Sequence, residues 1–154
     1  MKFKGERIYS NFTRTITFWL NDSTSIDLTV RALTPEEEDE LKELYKDPEP
    51  PVVTKRGGER SRDFNDPTYK TKVQEVGRQR LNYYVIKGLT ATEDLEFEDL
   101  DPDDPETFHL LDKELKEANI TEAMFSKIIQ AALEANQITD SAIKQAEQDF
   151  LPQE

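Results

Sequence analysis

The stretch NDPTYKTKVQEVGRQRLNYYVIKGL, residues 65–89, decides the fold of this chain. Asp66 can accept a hydrogen bond from an early helical N–H, and Pro67 follows at a position where no N–H is needed. Gly88 suits the left-handed residue that closes a helix. These start and stop signals predict a helix over residues 66–88.

The apolar residues of this central helix spread over more than half of its circumference, at Tyr69, Val73, Val76, Gly77, Leu81, Tyr83, Tyr84 and Val85. A surface helix normally carries a narrower apolar stripe, so we predict a helix that packs on at least two sides. Arg80 lies near the middle of this arc. We expect it to lay its stem along apolar surface with its head outward, or to pair with a carboxylate.

Two segments of alternating apolar residues precede the helix. Residues 13–20 read TRTITFWL, residues 21–24 supply turn chemistry, and residues 25–32 read SIDLTVRA. The period of two predicts an antiparallel β-hairpin over residues 13–32 with one apolar and one polar face. Trp19 falls on the polar face, where we interpret it as a half-buried packing residue, with an interface anchor as the alternative.

The remaining segments are polar connections and short helices. In chain order we predict a helix that begins with a capping box at Thr34 and Glu37, a long polar loop at 47–64, an acidic linker at 92–104 and short helices over 105–150. Predicted helix caps and stops in the last region are Thr121, Thr139, Asn119 and Asn136. The sequence thus predicts a single domain, residues 1–154, of the α+β class and mostly α-helical. Its N-terminal antiparallel β-hairpin is expected to pack on a bundle of about five helices.

Composition places the chain among globular proteins with a small core. The formal net charge of -13 and a hydrophobic content of 35% lean toward disorder. Leu, Ile, Val and Phe nevertheless make up 37 of the 154 residues, above the roughly 20% below which disorder is the default. The chain has no cysteine and no apolar run long enough for a signal peptide or a membrane span, so we expect a cytoplasmic protein without membrane contact. A pI near 4.6 argues against nucleic-acid binding.

No pattern of residues supports catalysis. Asp99, Asp101 and Asp103 alternate as in a calcium loop, but Asp104 stands where the turn needs glycine and Leu110 where a bidentate Glu is needed. His109 is the only histidine, and no cysteine can join it in a zinc site. We therefore predict a protein that is not an enzyme and has no catalytic residue, metal site or cofactor.

The basic segment KRGGERSR, residues 55–62, stands out on an acidic chain. It lacks the glycine spacing of a phosphate-binding loop. Two interpretations remain open. The segment is either a mobile loop that offsets nearby acids, or a contact loop that docks on an acidic neighbour such as residues 93–106 of another copy.

The order of these elements resembles the tail assembly chaperones of long-tailed, siphovirus-like bacteriophages. The resemblance rests on the hairpin that leads into LTPEEEDEL, the helix that closes on YYVIKGL, the acidic break, and the short helices near FSKIIQAALEAN. It covers residues 13–146 as a pattern of elements. It implies an assembly factor of the host cytoplasm that binds the tape measure protein and keeps it soluble during tail assembly. It also implies possible homo-oligomers and absence from the mature virion.

Candidate partner-binding residues follow from the apolar and aromatic positions beyond a minimal core, and they are Trp19, Tyr69, Arg80, Tyr83, Tyr84, Phe108, Phe125 and Ile129. Such residues can form a groove for an amphipathic helix, although most of them suit the core equally well. Two other functions stay open. One is an acidic inhibitor or nucleic-acid mimic that binds a basic partner, and the other is a structural tail or head-completion protein.

Overall fold

A computed structural model of the chain describes residues 1–138. Of these residues 43% are helical and 17% lie in strands, so the α+β class with more helix than strand is confirmed. The elements in chain order are β1 (Lys2–Phe3), β2 (Glu6–Arg7), β3 (Thr13–Trp19), β4 (Ser25–Arg31), α1 (Pro35–Leu44), β5 (Val52–Thr54), β6 (Arg60–Arg62), α2 (Pro67–Leu89), a 3₁₀ helix (Pro105–Leu110), α3 (Leu111–Glu117) and α4 (Glu122–Ala135).

The prediction of one hairpin on about five helices is wrong in detail. Residues 1–138 contain four α-helices and three separate two-stranded antiparallel sheets. The helix predicted to begin at Thr139 lies outside the described residues. None of the described helices combines the length and the hydropathy that a membrane span needs.

Strands β3 and β4 form the predicted hairpin with the predicted face. Ile16 lies opposite Leu28, and Phe18 lies opposite Ile26. Helices α4 and α2 pack on the hairpin, where Phe18, Leu28 and Val30 are buried. The hairpin is therefore stabilised by helices on its apolar face, as a lone hairpin in water requires.

Helix α2 ends against strand β4 rather than at Gly88. Gly88 is an interior residue of the helix, and Thr90 is the C-cap, so the prediction that Gly88 closes the helix in a left-handed conformation is wrong. A methyl group at Gly88 would overlap Val30 Cγ1 and lie 3.2 Å from the carbonyl oxygen of Arg31. Glycine is needed here because the helix and the strand approach each other closely.

The predicted helix starts are confirmed by their hydrogen bonds. The Thr34 side chain accepts from the Glu37 N–H and the Glu37 carboxylate accepts from the Thr34 N–H, which completes the capping box. Asp66 accepts from the N–H of Tyr69 at 2.8 Å, and Thr121 caps α4. These bonds satisfy N–H groups that a helix leaves unpaired at its start.

The two predicted stop residues act differently. Asn119 follows α3 with a φ of 57°, the left-handed conformation that ends a helix. Asn136 is the C-cap of α4, and the left-handed residue is its neighbour Gln137. The Asn136 side chain donates to the Ala132 carbonyl at 2.7 Å and accepts from the Leu33 N–H at 2.9 Å. It thus joins the end of α4 to the connection between β4 and α1.

Residues 47–64, predicted as a long polar loop, contain the β5–β6 hairpin. Val52 pairs with Arg62 and Thr54 with Arg60 across a turn that holds Gly57 and Gly58 at φ of 103° and 85°. The strands are only three residues long, and β6 reads RSR, so no alternation of apolar residues marks them in the sequence.

Candidate partner-binding surface

Helix α2 consists of two halves with opposite environments. All of its buried residues lie between Leu81 and Leu89, so this half packs on more than one side as predicted. Residues 67–80 are exposed or half-buried. The Asp66 cap and Pro67 mark the start of this exposed half.

An apolar stripe runs along the exposed half of α2. Tyr69, Val73 and Val76 recur at spacings of four and three residues, which places them on one helix face. The Phe64 ring, 60% exposed, meets the Tyr69 ring edge-on at 6.1 Å between centroids. Gly77 extends the same face, and apart from the local backbone of α2 a methyl group there would have no heavy atom within 4 Å. We call Phe64, Tyr69, Val73, Val76 and Gly77 the α2 stripe.

The chain around the α2 stripe is basic, although the protein is acidic. Residues 52–80 carry eight Lys or Arg and four Asp or Glu, whereas the whole chain has a net charge of -13. Lys70 and Lys72 flank Val73 on the helix. The stripe and its flanks therefore suit a partner helix with one apolar face and acidic residues beside it.

A second group of exposed apolar residues lies at the closed end of the β3–β4 hairpin. Trp19 is 64% exposed, Leu20 59% and Ile26 39%. The interpretation of Trp19 as a half-buried packing residue is wrong, because nearly two thirds of its surface is exposed. The interface interpretation stays a prediction.

Four predicted partner-binding residues belong to the core instead. Their side chains are at most 3% exposed, and they are Tyr83, Phe108, Phe125 and Ile129. The Tyr83 hydroxyl donates to the Glu40 carboxylate at 2.8 Å, and its ring contacts those of Tyr45 and Phe108. Burial, followed by this hydrogen bond to Glu40, raises the pKa of Tyr83. Tyr84 is half-buried against the core.

Arg80 binds within the chain. Its guanidinium donates to the Tyr45 carbonyl from Nε at 3.0 Å and from Nη2 at 2.6 Å, and Nη2 also lies 2.8 Å from an Asp47 carboxylate oxygen. Tyr45 is the C-cap of α1, so Arg80 places positive charge at the negative end of that helix dipole. The expected carboxylate partner exists, but Asp47 is exposed rather than buried.

The acidic linker at 92–104 folds back on the protein. Leu100 is buried, and its N–H and that of Asp99 bond to the Glu114 carboxylate. Lys87 is a buried residue, and its ammonium donates to the Pro102 carbonyl at 2.7 Å. A shallow, open depression lies between this linker and the end of α2, and its lining mixes apolar and polar residues: Leu89, Thr90, Leu95, Glu96, Phe97, Leu100, Asp101 and Pro102.

The acidic turn uses its carboxylates for its own backbone. Asp101 accepts from the N–H of Asp103, and Asp104 accepts from the N–H of Glu106. Within residues 1–138 no group of three or more His, Asp or Glu is placed to hold a metal ion. His109 is exposed, with Nδ1 2.8 Å from the Glu106 carbonyl oxygen.

Comparison with known proteins gave no match to a protein-family model, a curated protein or a solved structure. Of the predicted partner-binding residues, Trp19 is exposed, and Tyr69, Arg80 and Tyr84 are half-buried. From the sequence, Val73 and Val76 were predicted to be buried in the wide apolar arc of the central helix, and Phe64 was not among the candidate residues. A signal for the two halves of α2 is present in the sequence. Polar residues such as Lys70 and Lys72 lie between the apolar residues of the first half, whereas residues 81–89 are mostly apolar.

Proposed function

We propose that this protein is a phage tail assembly chaperone that binds a helical segment of the tape measure protein along the α2 stripe. The observation that carries the proposal is the apolar face of residues 67–80 of α2, whose side chains are exposed or half-buried. Its site of action would be the host cytoplasm, and the mature virion would lack it.

Helix-on-helix docking explains how such a surface would keep a partner soluble. Val73 is 42% exposed and Phe64 is 60% exposed, so a partner helix gains apolar contact without unfolding any part of the chaperone. Gly77 leaves room for close approach, since no atom outside the local backbone of α2 lies within 4 Å of where a methyl group would be. Burying an exposed Val or Phe side chain contributes about 1.5–3 kcal/mol at most. The negative charge of the rest of the chain would keep the complex soluble.

Coexpression with tape measure fragments tests this function. The soluble yield of each fragment is measured with the wild-type chain, with Val73→Glu, with Thr71→Glu and with no partner. Val73 lies on the stripe and Thr71 on the opposite side of the helix, while both substitutions add the same charge at exposed positions. We expect the wild type and Thr71→Glu to raise the soluble yield of at least one fragment severalfold, and Val73→Glu to lose most of that gain.

Three outcomes would contradict the proposal. They are no rescue of any fragment by the wild type, equal rescue by Val73→Glu, and detection of the chain in purified mature virions. Binding that disappears in about 0.3 M salt would favour the acidic inhibitor instead, because contacts between apolar faces survive screening and surface charge pairs do not.

A further inference from the structure

The two edges of the β3–β4 hairpin differ in how their backbone groups are used. On β4, the Thr29 N–H donates to Thr92 Oγ1 at 2.9 Å, and the same hydroxyl donates to the Thr29 carbonyl at 2.8 Å. Thr92 therefore occupies the place of a neighbouring strand. On β3, no described residue outside the hairpin pairs with the backbone. Within residues 1–138, one edge is closed by a side chain and the other is open.

The hydrogen bonds between β3 and β4 determine which backbone groups of β3 point away from the hairpin. Leu20 bonds to Thr24 and Ala32 to Phe12, so the even-numbered residues of β3 face β4. Antiparallel pairing alternates inward and outward groups, and Thr13, Thr15, Thr17 and Trp19 therefore direct their N–H and C=O groups away from the hairpin.

Strand β3 lacks the features that usually protect such an edge. Its sequence TRTITFW has no proline, no bulge and no carboxylate. Its one charged side chain, Arg14, lies 3.6 Å from Glu134 of its own chain. On a protein of net charge -13, this strand is a place where a second copy can approach without bringing acids together.

We infer that β3 pairs antiparallel with β3 of a second copy of this chain, which joins two hairpins into one four-stranded sheet. This inference stands apart from the proposed function, because it uses a different surface. The two-fold symmetric register that pairs the whole strand places Ile16 opposite Ile16 of the partner copy. All outward N–H and C=O groups of β3 then gain partners.

In the same register, side chains that are exposed or half-buried in the single chain gain contacts with the second copy. Ile16, half-buried at the open edge, would meet its equivalent on the apolar face of the joined sheet. Trp19, 64% exposed, would lie opposite Thr13 on the other face. Arg14 would lie opposite Phe18, so the two arginines stay apart. A four-stranded sheet with an apolar face is also more stable than two separate hairpins.

Proline substitutions on the two edges test the inference. Thr17 and Asp27 lie directly opposite each other, and both direct their N–H away from the hairpin. Thr17→Pro removes a donor from the open edge and Asp27→Pro removes one from the other edge, while both lose the side-chain bond between the two residues. We expect the wild type and Asp27→Pro to sediment as dimers at micromolar concentration, and Thr17→Pro to dissociate at least tenfold more readily.

Amide hydrogen exchange on the wild type gives an independent readout if a variant fails to fold. We expect the Thr15 and Thr17 amides to become more protected as protein concentration rises. A monomer at all concentrations, a Thr17→Pro variant that dimerises like the wild type, or dissociation by Asp27→Pro equal to that by Thr17→Pro would overturn the inference. Val73→Glu should leave the dimer unchanged, which separates this result from the test of function.

Discussion

Gly77 and Gly88 are both interior residues of α2, yet they are there for different reasons. A methyl group at Gly77 meets open space, whereas one at Gly88 overlaps a Val30 methyl of β4. We predict that Gly77→Ala raises the free energy of unfolding by about 0.5–1 kcal/mol through helix propensity, and that Gly88→Ala lowers it by about 1–3 kcal/mol through overpacking. Urea denaturation of both variants measures these changes. A stabilised Gly88→Ala variant would show that α2 does not approach β4 this closely.

Glu37 connects the start of α1 to the hairpin through Arg31. The guanidinium makes two bonds to the carboxylate, at 2.6 and 2.9 Å. Burial alone would raise the pKa of Glu37, but the bonds from Arg31 and the Thr34 N–H together hold that pKa below its usual 4.5. Because the folded state binds the proton less tightly, this contribution to stability is full above about pH 4.5 and disappears as the pH falls through the lowered pKa.

The variant Glu37→Gln isolates this contribution. At pH 7 we predict a loss of about 1–3 kcal/mol in the free energy of unfolding, since charge-assisted hydrogen bonds are among the stronger ones. The difference from the wild type should shrink below pH 4.5, where the wild-type carboxylate also becomes neutral. Glu38→Gln is the control, because Glu38 pairs with Lys42 in solvent and should change stability by under about 0.5 kcal/mol. A pH-independent difference would contradict the assignment.

The outer edge of strand β4 in the β3–β4 hairpin is stabilised by the side chain of Thr92, which follows α2 in the chain. We predict that Thr92→Val, which keeps the shape and removes the hydroxyl, lowers the free energy of unfolding by about 1–2 kcal/mol by leaving the Thr29 N–H and C=O unpaired. Thr71→Val is the control, since Thr71 bonds only to the Pro67 carbonyl on exposed helix surface. Equal effects of both substitutions in denaturant titrations would show that Thr92 does not hold the β4 edge.

Elements set by local signals could be predicted from sequence, and those set by tertiary contact could not. Helix starts could be predicted from the N-caps Thr34, Asp66 and Thr121, because each cap bonds to an N–H within the first turn. Gly88 was misassigned because a glycine required by close packing and one required by a left-handed turn look alike in sequence.

The exposure of the candidate partner-binding residues was harder to predict than the fold. Aromatic residues such as Tyr83 and Phe108 were candidates by residue type. Burial decides between core and surface, and here it depends on the packing of α2 against β4, α4 and the 3₁₀ helix. Strand β6 was missed because Arg60 and Arg62 do not alternate with apolar residues.

The whole molecule carries a net charge of -13, which works against the compact state. Its eight described ion pairs mostly involve exposed side chains and so contribute little each. We therefore predict that raising NaCl from about 0.01 to 0.3 M increases the thermal unfolding midpoint, because screening relieves more repulsion than it weakens attraction. A midpoint that falls over this range in thermal melts followed by circular dichroism would show that the ion pairs dominate.

The proposed function requires the α2 stripe to contact a helix of the partner protein. Amide hydrogen exchange of the chain, alone and in complex with a rescued tape measure fragment, tests it most directly. We predict that protection rises most over residues 69–80, where α2 is now exposed, and changes little over 81–89, which is already buried. Protection confined to the acidic segment 92–104, with residues 69–80 unchanged, would contradict the claim.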